Sequence, residues 1–482
     1  MKDHERAYLD AMLRRSLSAF VMRSFKEVVP GQTYMHNWHI DAMAWHLEQC
    51  AKGSIKRLII SLPPRSAKSL CASVAFPAWV LGHDPTMRIL CASYTESLAG
   101  NLSQSCRDLM LSPWYKRVFP GTRIGPDRNS RLEFVTSRRG FRYATSVGGT
   151  LTGRGGNIII IDDPLSADDA MSMTGRNRVN DWFAQTLFSR LDNKREGVII
   201  LVMQRLHEED LAGFLLQRGT GPWTHLNLPA IATEAKRIQV GDGKFYYRDE
   251  GELLQPGRDG QAELDDTKAQ LGSFKFSAQY QQDPLPQEGE IIKWEWFRIY
   301  DSLPPGSHRV VQSWDTAMKA KEISDYSVCS TWFVYGEEYY LVDLLREKLL
   351  FPDLKRMVIE RAQAYGADIV IIEDKGSGTS LIQELNESGI IRPVAYTPEG
   401  DKVVRVSAHS AKIENGRVHV PRQVAWLEAF RNEVVQFPHG HDDQIDSLSQ
   451  FLWWASGRTG NRWAVQPMFV ENPDIPSIRI NW

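Results

Sequence analysis

The sequence predicts an α/β protein built as two domains in tandem. Three observations carry that expectation. The chain has 482 residues, more than one hydrophobic core ordinarily organises. Between residues 56 and 228, short apolar runs alternate with amphipathic stretches. After a Pro-rich break a second such alternation occupies residues 294–456, and acidic residues stand at the ends of its apolar runs.

Taken in order, residues 1–55 read as a helical segment leading into the first domain. Tyr8, Met12, Leu13, Leu17, Phe20 and Val21 recur at helical spacing, which predicts one amphipathic helix from about 5 to 27. A second helix, MHNWHIDAMAWHLEQCAKG, follows the Pro30-Gly31 break and ends at Gly53. In the core of the first domain, 56–228, the strands are RLIISL, MRILCASY, LEFVTS, NIIIID and GVIILVM. Strands alternating with helices imply a largely parallel sheet. Residues 229–293 are rich in Gly, Asp and Gln and less periodic, and read as a loop-rich subdomain or linker. In 294–456, three strands (HRVVQSWD, SVCSTWFVYG, EYYLVDLL) precede helix PDLKRMVIERAQAYG, strand ADIVIIED, helix SLIQELNES and strand RPVAY. Three strands followed by α/β alternation is the order of a ribonuclease-H-like fold. Residues 457–482 lack periodicity and read as a mobile C-terminal tail.

Composition narrows the class. With 57 basic and 59 acidic residues the formal charge is only −2, so any nucleic-acid surface must come from local segregation of charge. The five cysteines form no CxxC pair and read as packed, reduced thiols of a cytosolic protein. The charged start MKDHERAYLD has no secretory h-region, and no apolar run approaches the roughly 20 residues of a membrane span.

Two chemistries are written along the chain. In the first half, RLIISLPPRSAKS places Lys68 and Ser69 where a phosphate loop needs an ammonium for the β/γ-phosphates and a hydroxyl for Mg²⁺. Arg65, Ser66 and Ala67 complete the turn, with Leu62 and Ala67 standing where the usual pattern has glycines. An ordinary strand-turn-helix with a surface lysine would read the same way. The run IIIIDDP brings Asp162 and Asp163 to the end of an apolar strand, at the sheet edge where the loop also lies. Asp162 suits the Mg²⁺ shell, and Asp163 suits the base that orients water. Gln204 and Arg205 end another strand at that edge and suit γ-phosphate sensing. Arg65, inside the loop, suits contact with the γ-phosphate, and Arg154, in the Gly-rich TLTGRGGN, suits an arginine finger, although solvated loop arginines explain either one equally well. Trp38 is placed to flank an adenine, and aromatics in helices are more often core.

In the second half, Asp315 ends the first strand and Glu373 and Asp374 end the fourth, which are neighbours in a ribonuclease-H-like sheet. The helix HDDQIDSLSQFLWW adds Asp442, Asp443 and Asp446. Carboxylates converging on Mg²⁺ or Mn²⁺ are what two-metal phosphodiester cleavage requires. Asp325, opening the second strand, is a candidate further ligand but reads more readily as a turn residue. The basic residues Lys402, Arg405, Lys412, Arg417 and Arg422, and the stretch Arg123 to Arg142, are either a DNA track or a solvated face.

Together PPRSAKS, TGRGGNIIIIDDP, MQRLHEEDLAG, FSAQYQQDP, SWDTA, IIEDKGSG and HDDQIDSLSQ resemble the large terminase subunit of tailed bacteriophages, from about Trp38 to Trp454. The resemblance implies an ASCE P-loop-type ATPase followed by a ribonuclease-H-like nuclease, with ATP and Mg²⁺ as cofactors and Mn²⁺ substituting at the nuclease site. It implies a motor that drives double-stranded DNA through the portal protein into a procapsid and cuts it, working with a small terminase subunit. It further implies a pentameric homo-oligomeric ring in the host cytoplasm, without membrane, docked transiently and absent from the mature virion. By the same resemblance Lys68 and Ser69 bind phosphate and Mg²⁺, Asp162 the metal, and Asp163 is the catalytic acid residue. Asp315, Glu373 or Asp374, and one of Asp442, Asp443 and Asp446 serve the nuclease. A repair translocase-nuclease and a non-enzymatic DNA adaptor remain the alternative readings.

Overall fold

The computed structural model describes residues 3–151, 153–217, 222–284, 291–316, 326–398, 402–438 and 442–457. Asp325 and the expected tail beyond Gly457 lie outside the described residues. The chain divides into two compact units, Met1–Lys268 with Phe274–Pro286, and Ala269–Ser273 with Gln287–Trp482.

The first unit opens on two helices where one was expected, Asp3–Arg15 and Leu17–Val28. Ser16 separates them. Its hydroxyl accepts from the Ala19 N–H at 3.2 Å, so a serine inside the apolar periodicity acts as an N-cap and restarts the helix. The helix Trp38–Ala51 follows. The strands are β1 (Arg57–Ser61), β2 (Arg88–Ser93), β3 (Ile124–Asn129), β4 (Glu133–Thr136), β5 (Phe141–Ser146), β6 (Ile158–Asp162), β7 (Val198–Met203) and β8 (Thr224–Asn227). They form one sheet in the order β3-β4-β5-β2-β6-β7-β1-β8. From β5 to β8 every pairing is parallel, and β3 and β4 add an antiparallel edge. Alternate residues feed two cores: Ile158 and Ile160 join one, Ile159 and Ile161 the other. Burial on both faces is why the strand sequences are continuously apolar. Beyond the sheet, the stretch expected to be loop-rich contains a hairpin, β9 (Lys236–Gly241) with β10 (Lys244–Arg248), and the helices Gln261–Leu271 and Ser273–Gln279.

The second unit holds β11 (Arg298–Tyr300), β12 (Arg309–Asp315), β13 (Ser327–Tyr335), β14 (Glu338–Glu347), β15 (Ile369–Glu373), β16 (Val394–Tyr396) and β17 (Val418–Pro421). The sheet order is β11-β17-β14-β13-β12-β15-β16. β12, β13 and β14 pair antiparallel, while β15 and β16 continue from β12 in parallel, a ribonuclease-H-like arrangement. The helix Asp443–Ser456 lies across this sheet. It is fixed by reciprocal bonds: the Ser447 hydroxyl donates to the Ser313 carbonyl and the Ser313 hydroxyl to the Ser447 carbonyl, both at 2.9 Å. Trp332 and Phe451 stack at 4.2 Å beside them. Among the described residues no helix is long and apolar enough to cross a membrane.

Candidate active sites

In the first unit β1 ends in a turn whose backbone is unusual. Arg65 and Ala67 have φ of 58° and 57°, and Asp163, just past β6, has φ of 43°. Left-handed conformations cost non-glycine residues free energy and persist where surrounding contacts enforce them, often at functional sites. After the turn the chain winds as a wide π-type helix, Leu70–Ala75, before the regular helix Phe76–His83. The Ser66 hydroxyl donates to the Pro63 carbonyl at 2.9 Å and closes the loop on itself.

This geometry brings together four expected residues. Ser69 Oγ donates to Asp162 Oδ1 at 2.9 Å, and Lys68 Nζ lies 3.2 Å from Asp163 Oδ2. Lys68 is only 7% exposed, so its ammonium is held inward by that carboxylate. Burial and the charge of Asp163 push the Asp162 carboxyl up to about 6, against the pull of Ser73, Lys68 and Ser69. Its Oδ2 is buried with no hydrogen-bond partner at ordinary distance. A hydroxyl and a carboxylate with an uncommitted oxygen side by side form a donor set that fits Mg²⁺. The Gln204 N–H donates to Asp163 Oδ1 at 3.2 Å and fixes the second carboxylate.

Other expected residues are engaged differently. Arg65 is exposed. Arg205 Nε lies 3.0 Å from both oxygens of the buried Asp210, whose Oδ2 also accepts from the Leu206 N–H. Its guanidinium therefore braces the turn of MQRLHEEDLAG. Trp38 stacks on Tyr246 at 4.4 Å with Arg248 nearby, so one face of its ring is covered by the hairpin. Arg154 makes a bidentate pair with Glu133 (2.8 and 3.0 Å) over the Tyr143 ring. That holds it at β4 and β5, with four strands between β4 and β1.

Sequence reasoning missed two supports of the loop. Arg258 donates to the carbonyls of Arg65 and Pro64, reaching the turn from the stretch expected to be a linker. Arg142, expected at the end of a DNA track or a solvated face, is instead fully buried on β5 and donates to the Ser73 carbonyl at 3.0 Å in the wide helix. Neither has a local signature, because each acts through a contact distant in sequence.

In the second unit β12 and β15 run parallel with Trp314 opposite Ile372, so Asp315 and Glu373 leave the sheet side by side. Gly378 allows this. A Cβ there would lie 2.0 Å from the Glu373 carbonyl and 3.0 Å from Thr316 Oγ1, so only glycine lets the next helix, Ser377–Ser388, sit so close. The pinned helix Asp443–Ser456 then delivers its carboxylates. Asp315 keeps some surface open to solvent, yet protein surrounds its carboxyl. Burial first, then the charges of Asp446 and Glu373, a hydrogen bond with Glu373 and the charge of Asp443 hold it well above the ordinary carboxylate range.

Glu373, Asp443 and Asp446 thus all lie near enough to act on the charge of Asp315. Asp374 turns aside, accepting from Thr379 Oγ1 at 2.8 Å. Basic side chains meet the helix carboxylates: Lys402 at Asp442 (2.6 Å) and Asp446 (2.8 Å), Arg405 at Asp446 (2.6 Å), and Arg346 at Asp443 (3.3 Å). Hard, anionic and mutually repelling oxygens are the donor set a divalent cation relieves. As they stand, no three His, Cys, Asp or Glu side chains among the described residues are close enough to share an ion.

Fold and sites define a class: an α/β protein with a phosphate-loop unit and a ribonuclease-H-like unit that gathers carboxylates. Residues 312–453 match the family model of the terminase RNaseH-like domain. Among solved structures, the large terminase of a thermophilic bacteriophage is similar at 12% identity and a TM-score of 0.51, over 87% of this chain and 98% of that one. The HK97 bacteriophage large terminase is 10% identical over 91% and 99%, with a TM-score of 0.36. The large terminase nuclease of another thermophilic phage, G20c, solved with bound cobalt, is 18% identical over 35% and 98%, with a TM-score of 0.29. No curated relative matches the chain in sequence. The chain has the fold of a large terminase.

Proposed function

We propose that this chain is a genome-packaging motor with its own nuclease: it hydrolyses ATP to move double-stranded DNA through a portal into a procapsid, and it cuts that DNA. The hydrolytic core is 56–228, residues 229–293 are the connecting subdomain, and the nuclease is 294–456. The observation that carries the reading is the parallel register of β12 and β15, which ends Asp315 and Glu373 side by side within a segment that matches the terminase RNaseH-like family.

At the phosphate loop, Lys68 neutralises the β/γ-phosphates, Ser69 and Asp162 hold Mg²⁺, and Asp163 positions the attacking water. Lys68 and Asp163 share one ion pair, so phosphate that draws the ammonium away frees the carboxylate. In the nuclease, Asp315, Glu373, Asp443 and Asp446 hold Mg²⁺ or Mn²⁺, which when bound polarises the phosphodiester and lowers the pKa of a water. Arg154 acts on the nucleotide of a neighbouring subunit in a ring, a role supported by its distance along the sheet from its own loop. A portal, a small terminase subunit and a cytoplasmic working place complete the proposal.

Two measurements on the purified chain test it: ATP turnover and plasmid cutting with Mg²⁺ or Mn²⁺. Lys68→Ala is expected to lose turnover and keep cutting, and Asp315→Asn to do the reverse. Undiminished cutting by Asp315→Asn removes the metal site from the account. For Arg154, mixing Arg154→Ala with Lys68→Ala subunits is expected to restore some turnover. A mixture that stays inactive removes the trans role.

A further inference from the structure

Asp446 is held at both oxygens. Arg405 Nη2 lies 2.6 Å from Oδ1, and Lys402 Nζ lies 2.8 Å from Oδ2 while also reaching Asp442 Oδ1 at 2.6 Å. The two basic residues stand three apart on the helix Lys402–Glu414, so they project from one face, and that helix packs against Asp443–Ser456. Their surroundings differ. The side chain of Arg405 is 12% exposed and that of Asp446 8%, whereas Lys402 is 45% exposed at the rim. A shielded guanidinium–carboxylate contact is strong, and a rim ammonium on a flexible stem is screened and easily moved.

A hard divalent cation needs anionic oxygens at short range. Asp446 offers one to an incoming ion only by giving up a basic partner, and Lys402 is the partner with a route to solvent. Asp442 loses its partner in the same movement. We propose that Lys402 and Arg405 set the divalent-cation affinity of the second site, with Arg405 orienting Asp446 and Lys402 competing with the ion for it. The inference rests on reading Asp315, Glu373, Asp443 and Asp446 as the metal site. It adds that the site binds its cation weakly by construction.

The test is calorimetric titration of the full chain with Mn²⁺ in chelator-treated buffer, with the Mn²⁺-induced rise in Tm measured beside it. Wild type, Lys402→Met, Lys402→Arg and Asp315→Asn are compared. Lys402→Met keeps the apolar stem and removes the charge. It is expected to bind Mn²⁺ about tenfold more tightly and to show a larger Tm rise, while Lys402→Arg stays near wild type. Equal or weaker binding by Lys402→Met overturns the proposal, and so does equally tight binding by Lys402→Arg. Asp315→Asn separates the two levels. If wild type shows no saturable binding that Asp315→Asn removes, the metal-site reading itself fails and the proposal falls with it. If Asp315→Asn abolishes binding and Lys402→Met changes nothing, only the role of Lys402 is lost.

Discussion

The two sites are built by opposite means. In the first unit the chemistry is a property of the backbone. All five non-glycine residues with positive φ among the described residues lie in that unit, and Arg65, Ala67 and Asp163 are at the site itself. Its carboxylates then pair with near neighbours, Asp162 with Ser69 and Asp163 with Lys68. In the second unit the chemistry is a property of side-chain convergence. Two parallel strands and one distant helix bring acids together, and basic residues from β14 and from the helix Lys402–Glu414 balance them. The contrast teaches that the first site responds to changes of backbone preference and the second to changes of charge and of the packing that aligns three elements.

The largest effects are expected where a reacting group loses its charge. Lys68→Ala should lower ATP turnover by about 10²–10³-fold, since it removes a preorganised cation from phosphoryl transfer, and steady-state phosphate release checks it. Asp315→Asn should lower cutting at least as much without touching turnover, and gel assays of plasmid nicking decide that. If either substitution damages both activities equally, the two sites are not independent.

A smaller effect tests convergence. Ser447 exchanges bonds with Ser313 and contacts Ser330 at 2.6 Å, all buried. Ser447→Ala keeps the carbonyl that accepts from Ser313 but removes the hydroxyl that meets the Ser313 carbonyl and Ser330, and should cost about 1–3 kcal/mol, read from the urea unfolding midpoint, with cutting reduced in step.

Acid tests the first unit. His225 accepts or donates at Ser61 Oγ (3.0 Å), and burial, with Arg205 and Lys236 nearby, lowers its pKa to about 4. A lowered histidine pKa means the unfolded chain takes up the proton first, so stability is intact above about 6.5 and is lost as pH falls toward 4. At pH 5 this amounts to about 2 kcal/mol, and His225→Gln should flatten the fall between pH 7 and pH 5 by that order. An unchanged slope contradicts the burial of a neutral ring.

The smallest effect concerns strain. Ala67→Gly relieves a left-handed alanine and should raise stability by up to about 1 kcal/mol, less the added freedom of the unfolded chain. A clear loss would show that the Cβ of Ala67 has a packing role that outweighs its φ of 57°.

Much of this was legible in the sequence, for reasons that differ by region. Long apolar runs such as Ile158–Asp162 announce buried strands, and a carboxylate at such a strand's end announces the sheet edge. The short or polar strands β3, β5, β8 and β17 carry no comparable run, and pairing rather than propensity makes them strands. Ser16 broke the first helix because a cap inside a periodic stretch looks like any polar-face residue. The choice between Glu373 and Asp374 is not local either. Register with β12 sends Glu373 toward Asp315, and Thr379 in the first turn of the following helix takes Asp374. Arg205 illustrates the converse, a motif residue at the expected edge whose guanidinium is committed to Asp210.

The central claim, that acids from three separate elements of the second unit form one cation site, is tested most directly by anomalous diffraction from crystals of the full chain soaked in Mn²⁺. The account predicts manganese density bounded by Asp315 and Glu373, with Asp443 or Asp446 on the other side and Lys402 turned out to solvent. Manganese bound elsewhere, with Asp446 still held by Lys402 and Arg405 and no density beside Asp315, would contradict it.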